Sequence, residues 1–164
     1  PVDGTIDNFI YKLKQKRNYT ITKQKDTITF LRGKFMERKC DLMIKFTPQK
    51  HIVYLVGVSV SIPNRNKWDN LLNEFNNISA QYSCKYGNPT ESDRQMPYGY
   101  SEGDGNEMYA IGQKGFMYED IYNYKNKGTI VVMLKPFFIF IIYMDNYNSQ
   151  KYFKEKNASI QKDI

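Results

Sequence analysis

One histidine, His51, is present in the chain, so a catalytic triad or a histidine-rich zinc site would have to be built around that single imidazole. No GxSxG or HExxH surrounds it, and it opens an alternating apolar run, which reads as a strand-edge position. Paired carboxylates can divide acid–base work when they converge in a cleft. Glu119 and Asp120 are neighbours on a strand-like run, which sends them to opposite faces. Glu102, Asp104 and Glu107 crowd the stretch Ser101-Glu-Gly-Asp-Gly-Asn-Glu107. That segment is rich in oxygen ligands but lacks the DxDxDG spacing of a calcium loop, so it reads as solvated. The glycines at 99, 103, 105, 112 and 115 make neither GxGxxG nor GxxxxGKS/T, which leaves nucleotide binding without a motif. Catalytic residues, a cofactor and a metal site are therefore not expected.

The two cysteines, Cys40 and Cys84, have no CxxC or metal-ligand spacing. Cys40 shares a strand face with Leu42, Ile44 and Phe46 and is expected to point inward. Cys84 lies about 180° around its helix from Phe75, on the polar side. Both read as free thiols.

Charge is unevenly spread. Lysine outnumbers arginine 19 to 5, with 15 asparagines, 16 isoleucines and 14 tyrosines, a profile that codon usage in an A/T-rich genome generates without any ligand. Residues 1–62 carry 12 Lys/Arg against 5 Asp/Glu, while residues 63–164 carry 12 of each, so the whole net charge of +7 lies in the first half. A one-sided basic surface attracts acidic partners. The aromatic and basic side chains Tyr11, Lys12, Lys14, Arg17, Tyr19, Lys23 and Lys25 invite a reading as stacking rings and a cationic groove for single-stranded nucleic acid. No RNP-like segment accompanies them, and nucleic acid ranks below a protein or glycan partner.

The elements that must position these groups follow from periodicity. At 164 residues the chain is the size of a single domain and can bury a core without disulfides or metal. Ile6, Phe9, Ile10 and Leu13 form one stripe of a first helix, Thr5 to about Arg17, with Thr5 as N-cap. Strand-like runs follow at Tyr19–Lys25, Thr27–Glu37, Cys40–Phe46 and His51–Ile62. A second helix carries Trp68, Leu71, Leu72, Phe75, Ile78, Ser79, Tyr82 and Tyr86 on one face. Asn66 and Asp69 suggest a capping box at its start, and Gly87 with Pro89 stops it. Further strands are expected at Met108–Tyr124, bent at Gly112–Gly115, then Gly128–Lys135 and Phe137–Met144, before a short C-terminal helix from about Ser149. The order is α-ββββ, α-βββ(β), α. It predicts an α+β domain of two tandem helix-plus-antiparallel-sheet repeats, about 1–62 and 63–146, each a separate meander sheet backed by one helix.

Two segments stand out as binding candidates. Residues 88–107 form a long stretch rich in Pro, Gly, Ser and acids, with Tyr98 and Tyr100 inside it, and loops of that length in compact domains often bind. The run Phe137–Met144 is apolar on both sides. If Phe138, Phe140, Ile142 and Met144 face a helix, then Phe137, Ile139, Ile141 and Tyr143 face away. A one-layer sheet should alternate instead, so that second face must meet another sheet, a loop or a partner. The longest apolar stretch, Thr129 to Met144, is broken by Lys135-Pro136 and is too short to span a membrane as a helix.

The segments Gly4-Thr5-Ile6-Asp7-Asn8-Phe9, Phe30-Leu31-Arg32-Gly33-Lys34-Phe35 and Lys85-Tyr86-Gly87-Asn88-Pro89 after Trp68 resemble small uncharacterised exported proteins of Bacteroidetes. The element order is also similar to the tandem repeats of the β-lactamase inhibitor protein. The resemblance implies a non-catalytic binding module of the cell envelope, secreted or lipoprotein-like. A first residue other than methionine fits removal of an export leader, or a cloning boundary. Tyr98, Tyr100, Phe137, Ile139, Ile141 and Tyr143 are the expected contact residues for a protein or glycan. A nucleic-acid-binding domain using the basic first half is the alternative.

Overall fold

The computed structural model describes residues 2, 4–16, 19–124 and 128–160. Arg17, one of the basic residues noted above, lies outside them. In chain order the elements are α1 (Ile6–Lys16), β1 (Thr20–Lys25), β2 (Ile28–Phe35), β3 (Arg38–Phe46) and β4 (Val53–Ser61). They are followed by α2 (Trp68–Tyr86), β5 (Glu91–Gln95), α3 (Glu107–Ala110), β6 (Met117–Tyr124), β7 (Gly128–Lys135), β8 (Phe138–Asp145) and α4 (Asn146–Ile160). All eight strands belong to one antiparallel sheet of order β1-β2-β3-β4-β8-β7-β6-β5.

The α+β class and the closing helix are as the periodicity predicts, but two separate meander sheets do not form. β4 and β8 pair with each other, with Val60 opposite Ile139, Val58 opposite Ile141 and Val56 opposite Tyr143. Each of those strands would otherwise be an apolar edge with unpaired backbone groups, a template for aggregation. Zipping them together puts the two most apolar strands at the centre of the sheet. The polar strands β1 (TITKQK) and β5 (ESDRQ) are left at the edges.

β5 was hidden from pattern reading. It lies inside the 88–107 segment read as a loop, and its five residues have no apolar alternation; it exists because β6 offers a partner, with Asp93 opposite Glu119. The expected strand start at Met108 is instead the single helical turn α3, and β6 begins only after the glycine turn. The capping box also fails: Lys67 occupies the N-cap of α2 and supplies no side-chain bond. Gly87 does end that helix, with φ of +86°, where its lack of a Cβ removes strain.

Burial alternates along the strands. Leu42, Ile44, Val56, Val58, Val60, Ile130, Val132, Leu134, Ile139 and Ile141 are buried, and their neighbours on β7 and β8 are only part-buried. Cross-strand partners share a face, so the buried set defines one side of the sheet. α2 lies across β6, β7 and β8 on that side and contributes Trp68, Leu71, Phe75 and Ile78 to the core. The α1 stripe of Ile6, Phe9, Ile10 and Leu13 packs on the same core, tied down where the Ile6 amide donates to the His51 carbonyl at 2.9 Å. Cys40 is in the core and Cys84 is exposed on α2, both free thiols. Among the described residues, no helix is long and apolar enough to cross a membrane.

Candidate functional site

Under α2, a polar network runs from the buried Ser79 and Asp120 out to the edge strand β5. The Asp120 carboxylate on β6 accepts hydrogen bonds from Ser79 on α2, from Ser92 on β5 at 2.6 Å and from the Arg94 guanidinium at 2.8 Å. Burial alone would push this carboxyl up, but the bonds from Ser79, Ser92 and Arg94 outweigh it and hold it below the usual carboxylate range. Arg94 lies 4.7 Å above the Phe75 ring, and the Tyr122 hydroxyl donates to the Ser79 carbonyl at 3.0 Å. A serine beside a carboxylate invites a nucleophile–base reading. Yet Ser79 and Asp120 are both buried, and a carboxylate held ionised by three donors is a poor base at neutral pH. The network fastens the polar edge strand β5 to the helix.

Beside it, Tyr82 and Tyr143 share a hydroxyl–hydroxyl hydrogen bond. Burial next to the Tyr143 hydroxyl raises the Tyr82 phenol well above its ordinary value. A shallow groove of about 210 Å³ opens there, lined by Phe35, Met36, Gln81, Tyr82, Lys85, Tyr86 and Tyr143.

In the segment after β5, the acids bind the chain to itself. The Asp104 carboxylate accepts the backbone amides of Ser101 at 2.8 Å and Asn106 at 2.7 Å. Those two bonds hold its carboxyl below the usual range. Glu107, buried, accepts the Gly103 amide at 2.7 Å, and Glu102 accepts the Tyr118 hydroxyl at 3.0 Å. Burial first, and then that bond to Glu102, pushes the Tyr118 phenol up to about 12. Glutamates 102 and 107 and Asp104 are thus turned to different donors. Among the described residues, no three His, Cys, Asp or Glu side chains gather as a metal-ligand set. His51 sits in the turn before β4 with φ of +54°, exposed and stacked on Phe46.

The six expected contact residues part company. Tyr98 is fully exposed at its loop tip and Tyr100 half-buried. Phe137 is not in a strand: it occupies the β7–β8 turn with φ of +69°, is 45% exposed, and lies under the Arg65 guanidinium. Ile139 and Ile141 are 0% exposed and belong to the core under α2, and Tyr143 packs against that core. The face assignment of β8 is therefore reversed. The side that α2 covers is Ile139, Ile141 and Tyr143, because these stand in register with the valines of β4 and with Ile130, Val132 and Leu134 of β7.

What faces away is the other set. Phe138, Phe140, Ile142 and Met144 of β8 lie level with Leu55 of β4 and with Val131 and Met133 of β7. Phe30 and Met43, paired across β2 and β3, extend the surface toward β1. All are part-exposed, and none joins the hydrophobic core. At the centre, the Phe140 ring rests over Gly57, where an added Cβ would come within 2.8 Å of its Cζ. α4 meets the sheet at one end, with Tyr152 stacked on Tyr54 and Asn148 donating to the Val53 carbonyl. Phe30, Met43, Val131 and Met133 escaped the sequence reading, although the unalternating run Ile130–Leu134 carries the same two-sided signal as β8. The aromatic–basic cluster is not assembled either: Tyr19 is buried with its hydroxyl donating to the Lys34 carbonyl, while Tyr11 is exposed on α1.

No known protein family matches the chain, and neither a curated protein nor a solved structure does.

Proposed function

We propose that this protein is a non-catalytic binding module whose working surface is the uncovered face of its sheet. The observation that carries this reading is the composition of that face. Phenylalanine, methionine, leucine, isoleucine and valine side chains form a continuous band across β2, β3, β4, β8 and β7, all part-exposed. An antiparallel sheet with one free face ordinarily carries polar side chains there, and contiguous apolar patches beyond a few hundred Å² mark interaction sites. Placement in the cell envelope rests on the resemblance to exported Bacteroidetes proteins, and fractionation of cells expressing the full reading frame tests it.

An environment-sensitive apolar dye should bind the native protein at dilutions where it is monomeric, and Ile142→Ser and Phe140→Ser should abolish the signal. Both variants should lose less than about 1.5 kcal/mol in chemical denaturation, well below a core truncation. Absence of dye binding by the monomeric protein, or a stability loss as large as a core truncation, would show that the face is internal packing and would overturn the proposal.

A second reading is a nucleic-acid-binding domain. It draws on Lys23, Lys25, Lys39 and Lys45, which flank Phe30 and Met43 on the same side of the sheet. A ring beside a cationic strip suits base stacking. Oligonucleotide affinity that falls steeply with salt would favour it.

A further inference from the structure

We propose that the occupant of the open face is a second copy of this chain, docked face to face about a two-fold axis that runs parallel to the strands between β4 and β8. This rests on the reading of that face as a docking surface and names its partner. Charge is sorted along the face. At one side stand Lys23, Lys25, Arg32, Lys34, Lys39 and Lys45 of β1, β2 and β3, with Asp41, bonded to Arg32, as the one acid among them. At the other side stand Glu91 and Asp93 of β5 and Glu119 of β6, with Lys135 of β7 nearer the middle. The apolar band lies between.

A two-fold axis along the strands reverses the lateral order of the second sheet. The basic strands of each copy then fall over the acidic strands of the other, and Phe140 and Ile142 meet their own counterparts near the axis. An axis across the strands would set base on base and acid on acid, which like-charge repulsion disfavours. A self-complementary patch closes as a dimer and leaves no surface for a third copy. The size is adequate as well. Eight strands about 4.8 Å apart and roughly 26 Å long offer a face of about 900 Å², against about 800 Å² per partner in a standard interface.

The test uses the whole chain in sedimentation velocity from micromolar to hundred-micromolar concentration. Wild type is expected to dimerise, and Ile142→Asp to be monomeric with an unchanged circular dichroism spectrum. Two charge variants on exposed or part-exposed positions guard against misfolding. One carries Glu91→Lys, Asp93→Lys and Glu119→Lys, so both sides of its face are basic. The other carries Lys23→Glu, Lys39→Glu and Lys45→Glu, so its first side turns acidic. Each alone should dimerise at least about tenfold more weakly than wild type, and an equimolar mixture should recover the dimer mass.

A monomeric wild type that binds the apolar dye overturns the second-copy proposal and leaves the docking surface standing; a monomeric wild type without dye binding overturns both. A wild-type dimer whose charge variants behave like the parent overturns the proposed axis. Tight oligonucleotide binding by monomeric wild type, lost in the Lys→Glu variant, assigns the face to nucleic acid instead.

Discussion

Val60 of β4 stands directly opposite Ile139 of β8, and both side chains are completely buried under the helices. This pair lies on the seam where the first four strands meet the last four. Truncating it removes contacts from both halves at once, so Ile139→Ala should cost about 2–5 kcal/mol in chemical denaturation, as core truncations do. The loss should appear as one cooperative transition. A change below about 0.5 kcal/mol, the usual size for a surface position, would contradict the assignment of Ile139 to the core.

Asp120 should give the fold an acid-sensitive component. Its native carboxyl is held below the usual range, whereas in the unfolded chain it titrates near about 3.9. The unfolded state therefore takes up the proton first as pH falls. The contribution is complete above the unfolded value and is lost as pH drops through it toward the lower native one. Asp120→Asn should destabilise the protein at pH 7 by about 1–3 kcal/mol and flatten the fall in stability below pH about 4. Urea midpoints across that range, wild type against variant, measure it.

Gly33 is required for a different reason. The Tyr19 ring covers it so closely that an added Cβ would lie 2.2 Å from the ring. Gly33→Ala must push the ring aside, and with it the hydrogen bond from the tyrosine hydroxyl to Lys34. The expected cost is about 1–3 kcal/mol, the range of overpacking in a filled site. Tyr19→Ala in the same background should reduce the additional effect of the alanine, a coupling that a double-mutant cycle reads directly.

The thiols report the two environments of the chain. Cys40 is 2% exposed and Cys84 is open on the outer side of α2. A thiol reagent should modify one equivalent per chain in native protein, at Cys84, and a second only after unfolding. Peptide mapping of the labelled protein checks the site, and rapid native labelling of Cys40 would place β3 in the wrong phase.

The local sequence determined nearly every element whose signal is local. The stripe Ile6, Phe9, Ile10 and Leu13 marks α1; the face from Trp68 to Tyr86 marks α2; the alternation Val56, Val58, Val60 marks β4. Each is a period of one element and needs no knowledge of its neighbours. Cys40 and Cys84 were legible for the same reason. β5 was not, because Glu91–Gln95 has no apolar period and is a strand only by virtue of pairing with β6.

The choice between the two apolar faces of β8 was likewise beyond the sequence. Phe138, Phe140 and Ile142 are as apolar as Ile139, Ile141 and Tyr143, and a strand by itself has no inside. The tertiary structure decides it through register. Pairing β8 with β4 sets Ile139 and Ile141 level with valines already committed to the core, and a shift of one residue would exchange the faces. The same pairing leaves the other face of β8 open. Merging the strands into one sheet leaves no second sheet to cover Phe140 and Ile142, and it carries the basic and acidic strands to opposite edges.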